Sequence, residues 1–200
     1  MEMSKTSFRS DSSDLTIIGI GSSAGGLEAI SELVGSLPAD MNATYVVVQH
    51  LSPHHKSLMT ELVARQTTLE VENVFDGLAP RPNVVYITPP KNDVVLRDGL
   101  LRLVEPNPET ATPKPSVDRF LLSLAEEMGD KSVAIILSGT GPDGAYGVQA
   151  IREACGITIA QDNESAKYDG MPSAAIRTGC VDLVLRPRDI GEHLEKILDH

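Results

Sequence analysis

Tryptophan is absent from the 200-residue chain, and it has only three phenylalanines and four tyrosines. Basic residues are also scarce. Seventeen Lys and Arg stand against 28 Asp and Glu, leaving a formal net charge of −11 and a pI near 4.8. An acidic chain with few aromatics is poorly suited to non-specific nucleic-acid binding or to an anionic membrane surface. The two cysteines, Cys155 and Cys180, have neither metal-ligand nor disulfide-framework spacing and read as buried thiols. No apolar run approaches the roughly 20 residues of a membrane span. The N-terminal MEMSKTSFRSDSSD has no apolar stretch after its basic residues and so is not a secretory signal. These absences point to a cytoplasmic protein. What is present is ordinary: 41% hydrophobic and 22% charged residues in 21.4 kDa. That is one globular domain, long enough to bury roughly 70% of the surface of its unfolded chain.

Residues 1–14 lack periodicity and read as a disordered tail or linker, with a single domain over 15–199. The run Leu15–Ile20 reads as a buried strand. After a Gly/Ser turn, Leu27, Ile30, Leu33, Val34 and Leu37 recur at helical spacing up to Pro38. Tyr45–Val48 reads as a strand, and Leu58, Leu62 and Val63 mark a helix. Val71–Phe75 and Val84–Thr88 read as strands. Val94–Leu96 and Leu100–Val104 flank Arg97-Asp98-Gly99, a hairpin signal. Glu105–Pro115, with four prolines, is loop. Ser116 is a candidate N-cap for a helix with Val117, Phe120, Leu121, Leu124 and Met128 on one face. Strands follow at Val133–Leu137, Ile157–Ala160 and Val181–Leu185. The helices between and after them carry Val148, Ile151 and Ala154, then Pro172–Thr178, then Pro187–Leu198. Strands alternating with helices imply parallel pairing through right-handed crossovers. The expected fold is α/β, a doubly wound, mostly parallel sheet with a small antiparallel hairpin insertion.

The first strand-to-helix turn carries two overlapping glycine patterns. Gly19-Ile20-Gly21-Ser22-Ser23-Ala24 fits a dinucleotide fingerprint, and Gly21-Ser22-Ser23-Ala24-Gly25 fits a G-x-S-x-G nucleophile elbow. A dinucleotide site needs an acidic residue at the end of the second strand. Gln49-His50 stands there instead, which counts against a cofactor. A third reading makes the glycines simply spacers for helix–strand packing.

A serine nucleophile needs a base, and the base needs an orienting group. His193 and His200 read as solvated, and His54 and His55 lie in a loop. His50 sits at the carboxyl end of a strand, where open parallel sheets bind ligands. It is the candidate base for Ser23, against the alternative of a plain strand cap. Asp143, in the Gly-rich segment Ser138–Gly144, is the candidate orienting acid, against the alternative of an N-cap for the helix that follows. Met171-Pro172 reads as groove lining or a helix start, and Asp118-Arg119 as a solvated first turn.

With these segments in hand, the chain resembles the catalytic domain of the chemotaxis protein-glutamate methylesterase (CheB) family. In order, the motifs are GIGSSAGGLEAI, VVVQHLSP, VYITPP, KPSVDRF, LSGTGPDGA and AQDNESAKYDGMPSAAI. The resemblance covers about residues 15–198. It implies a doubly wound α/β sheet and a Ser-His-Asp triad of Ser23, His50 and Asp143. It implies hydrolysis of γ-glutamyl methyl esters on the cytoplasmic helices of chemoreceptors, releasing methanol, with deamidation of receptor glutamines as a related reaction. No cofactor or metal is expected. Ala24, Thr140 and Pro142 depart from the family pattern beside the ester pocket, and the backbone N–H groups of Ala24 and Thr140 are the candidate oxyanion donors. Well-known members carry an N-terminal receiver domain where this chain has 14 polar residues. A stand-alone esterase, or the esterase module of a hybrid sensory protein with regulatory domains elsewhere, is therefore expected. An esterase for another ester, and a non-catalytic signalling scaffold, are the other classes the sequence leaves open.

Overall fold

The computed structural model describes residues 15–50, 58–106 and 114–199. The proposed tail at 1–14, the loop histidines His54 and His55, most of the Pro-rich loop and His200 lie outside the described residues.

Seven parallel strands form one sheet. They are β1 (Thr16–Ser22), β2 (Ala43–Gln49), β3 (Glu70–Asn73), β4 (Val84–Ile87), β7 (Ser132–Ile136), β8 (Ile157–Gln161) and β9 (Leu183–Leu185), in the order β3-β4-β2-β1-β7-β8-β9. A separate antiparallel hairpin pairs β5 (Asp93–Arg97) with β6 (Leu100–Val104). Asp98 and Gly99 take φ of 53° and 70° in its turn, the positive values a tight hairpin requires.

The central strands are buried along almost their whole length, and mostly apolar, because helices cover both faces. On one side, α1 (Gly26–Gly35), α2 (Met59–Ala64) and α6 (Pro187–Leu198) pack over Ile18, Ile20, Tyr45, Val47 and Ile135. On the other, α3 (Val117–Met128), α4 (Ala145–Glu153), α5 (Gly170–Arg177) and the hairpin cover Ile17, Val46, Val48, Ala134 and Ile136. Buried Phe120, Leu121 and Leu124 anchor α3. Its N-cap is Ser116, whose Oγ accepts the Arg119 N–H.

One open reading of the glycine pattern gains support here, and one expectation about the cysteines changes. A Cβ at Gly21 would lie 2.4 Å from Val117 Cγ1, and one at Gly19 would lie 2.6 Å from Leu121 Cδ2. The glycines of β1 therefore admit α3 against the sheet, the spacer reading of their pattern. The cysteines are not both buried: Cys155 is exposed and Cys180 half-buried. Cys155 leaves the end of α4 with φ 65°, in a turn that carries its side chain away from the core.

β2 lies on one side of β1 and β7 on the other, and the connections run outward in both directions. The carboxyl ends of β1, β2 and β7 thus form the switch point at which open α/β sheets bind ligands.

Candidate active site

All three predicted site residues sit at this switch point. Ser23 follows β1, His50 follows β2, and Asp143 lies beyond β7. The parallel ladder continues past the strand ends and fixes their spacing. The His50 N–H donates to Ser22 O at 3.1 Å, and the Ser23 N–H donates to Ser138 O at 3.0 Å. Gln49 adds a side-chain hold, its Nε2 donating to Ser23 O at 3.4 Å, while the Gly26 N–H donates to the same carbonyl at 2.9 Å.

The neighbouring serines are distinct. Ser22 is fully buried, whereas Ser23 is only half-buried. Gly139 closes over the Ser23 side: a Cβ there would lie 2.9 Å from Ser23 Cβ and 2.2 Å from Met171 Sδ. Met171 is itself 1% exposed and packs against this turn. Ser23 carries no left-handed backbone; in this turn that conformation belongs to Gly25, φ 70°, the N-cap of α1.

His50 Nε2 lies 2.7 Å from Asp143 Oδ2, with side chains 8% and 2% exposed. The structure thus pairs the predicted base with the predicted acid. Asp143 does not cap its own helix as the alternative reading had it. The N-cap of α4 is Gly144, without a side-chain cap. The Asp143 carboxylate instead accepts N–H groups from the start of α3, Val117 to Oδ2 and Asp118 to Oδ1, each at 2.9 Å. Ser116 Oγ lies 3.4 Å from Oδ1. Burial alone would raise the Asp143 carboxyl, but the His50 hydrogen bond and the N–H groups of Asp118 and Val117 outweigh it. Asp143 is held below the usual carboxylate range, so it is ionised at neutral pH and the shared imidazole proton sits on Nε2. Nδ1 is then the ring atom with a free lone pair.

Four residues of this region escape sequence reasoning. Gln49 secures the Ser23 peptide. Ser138 ties three loops together: its Oγ lies 2.9 Å from Ala24 O and accepts the Tyr168 N–H at 3.1 Å, and its N–H donates to buried Gln161 Oε1 at 2.8 Å. Asp118 is not a solvated first-turn residue; it is partly buried against Asp143 and α4. Arg119 likewise binds, at 2.9 Å, the buried carboxylate of Asp93, which also accepts the Ser116 N–H. A Ser N-cap followed by an acid is visible as a helix start, but nothing in the sequence shows which other helix that acid meets.

A cavity of about 680 Å³ between α4, β8, β9 and α6 is lined by Ile157, Leu183, Leu185 and Ile197 and includes none of the three site residues. No cluster of His, Cys, Asp and Glu able to hold a metal occurs among the described residues.

A doubly wound α/β domain with a buried Asp–His pair at its switch point is the class of protein that fold and site define. Comparison with known proteins narrows it. The family described as CheB methylesterase matches residues 18–194, and the chain belongs to that family. It is 34% identical over 170 residues to a protein-glutamate methylesterase/protein-glutamine glutaminase of Saccharophagus degradans, covering 84% of this chain and 47% of that one. A namesake from Burkholderia orbicola is 38% identical over 172 residues, covering 84% and 51%. The chain therefore spans about half the length of these curated relatives. The crystal structure of the Thermotoga maritima CheB methylesterase catalytic domain superimposes with a TM-score of 0.85 at 31% identity, covering 92% of this chain and 98% of that one.

Proposed function

We propose that this chain is a serine esterase that removes methyl groups from γ-glutamyl esters of chemoreceptors in the cytoplasm. The observation that carries this is the buried 2.7 Å His50–Asp143 pair, set on strand ends that flank the turn bearing Ser23. Ser23 Oγ attacks the ester carbonyl while His50 Nδ1 takes its proton. Asp143 stays ionised and stabilises the imidazolium through Nε2. His50 returns the proton to the departing methoxide, methanol leaves, and water hydrolyses the glutamyl–enzyme by the same path. The backbone N–H groups of Ala24 and Thr140 receive the oxyanion. The relatives' double name supports a second acceptor, the side-chain amide of glutamine, since the same tetrahedral chemistry releases ammonia there.

The described residues contain no helix long and apolar enough to cross a membrane. The test is methanol release from methyl-labelled receptor membranes. Release by the wild-type chain and none by Ser23→Ala supports the reading. Undiminished release by Ser23→Ala overturns it.

A further inference from the structure

Asp118 takes no part in the chemistry above, yet its partly buried carboxylate lies beside the Asp143 pair. Its Oδ1 accepts the N–H of Gly144 at 2.9 Å and of Gly147 at 2.8 Å. Those are first-turn donors of α4, whose N-cap glycine has no side chain to satisfy them. Asp143, immediately before that N-cap, accepts the first-turn donors of α3, Val117 and Asp118. Each helix thus receives its capping carboxylate from the other helix's starting segment. Two helix N-termini, each drawn to a negative charge, are clasped by exchanged aspartates. Gly147 lets the helices close up, because a Cβ there would lie 2.5 Å from Leu121 Cβ.

We infer that Asp118 is a positioning residue of this site: by capping α4 it holds the loop that presents Asp143 to His50, and its charge stands behind the pair. This rests on the triad reading above. The charged and titratable groups at the junction are His50 after β2, Asp143 before α4, and Arg119 in the same turn of α3, which is engaged with Asp93 of β5. Burial first, and then the neighbouring Asp143 charge, push the Asp118 carboxyl up to about 6, against the pull of the Gly144 and Gly147 N–H groups.

The variants separate the two contributions. Asp118→Asn keeps an acceptor for both glycine N–H groups but removes the charge. Asp118→Ala removes both. With p-nitrophenyl acetate as probe, Asp118→Ala is expected to lower kcat 10- to 100-fold at nearly unchanged KM. Asp118→Asn is expected to stay within about threefold of wild type at its pH optimum, with the acid limb of kcat/KM moved to lower pH. Two readouts do not depend on turnover: the rate at which a fluorophosphonate labels Ser23, and the NMR titration of the His50 ring, which should move in Asp118→Asn. If wild type is neither labelled at Ser23 nor active, the triad reading has failed, and the His50 titration still judges Asp118. If Asp118→Ala does not fold, Asp118→Asn decides alone. A folded Asp118→Ala with wild-type kcat, or an Asp118→Asn whose acid limb and His50 titration are both unmoved, overturns the inference.

Discussion

Ser22 and Ser23 are adjacent and chemically alike, and only burial separates them. A fully buried hydroxyl cannot meet an ester carbonyl, whereas Ser23 stands at the open end of the sheet. Ser23→Ala should therefore lower ester hydrolysis by on the order of 10³ or more, while Ser22→Ala leaves it within a few-fold, both read as initial rates. Asp143 combines two contacts that the sequence leaves compatible: it pairs with His50, and it caps a helix, though α3 rather than its own. Asn at 143 can place only one carbonyl oxygen where two carboxylate oxygens now accept Val117, Asp118 and His50. Asp143→Asn should cost roughly 10² to 10⁴ in rate and about 1–3 kcal/mol in stability. A chemical-denaturation curve beside the kinetics would show both losses together.

Among the elements, the meeting of β1 with α3 decides whether the site can assemble. Gly21 leaves no space for a methyl group beneath Val117, and Val117 is the residue whose N–H binds Asp143. Gly21→Ala should destabilise the fold by about 1–3 kcal/mol through overpacking and lower activity with it, as a denaturant midpoint and a rate measured on one sample would show. The elements themselves are legible in the sequence, because buried parallel strands read as short apolar runs and the covering helices read at period 3.6. Ser116 as N-cap and Asp98-Gly99 as hairpin turn follow from local chemistry alone. The meeting of Ser23, His50 and Asp143 at one place was reachable because each follows a strand, and strand ends share one edge of a parallel sheet. Asp118, Gln49 and Ser138 were not. Their partners come from segments 20 or more positions away, and no local pattern encodes which helix start faces which. Cys155 shows the same limit, since its exposure follows from a left-handed turn at a helix end rather than from the preference of free thiols for the interior.

For the whole molecule, the two clasped aspartates oppose each other in the pH dependence of stability. Asp118 has a folded-state value of about 6 against about 3.9 in an unfolded chain. The folded state therefore binds its proton more tightly, and this contribution to stability is lost as pH rises from about 4 to about 6. Asp143 is shifted the other way. Its contribution is present above the ordinary carboxylate range and disappears as pH falls through its lower folded value. Asp118→Asn should remove a decline on the order of 1–2 kcal/mol between pH 4 and 6, after allowance for its partial exposure, while leaving the acid unfolding limb in place. Urea midpoints taken across pH 3–8 measure both limbs. The acidic surface, net −11, should add charge repulsion at higher pH that salt screens, so the comparison belongs at fixed ionic strength.

In the mechanism proposed above, one serine, activated through His50 by Asp143, carries the chemistry of this fold. Peptide mapping by mass spectrometry after treatment with a fluorophosphonate tests it most directly. The expected result is a single adduct on Ser23, absent in Ser23→Ala and formed far more slowly in His50→Ala. An adduct on Ser22, or labelling of Ser23 at an unchanged rate without His50, would contradict the account.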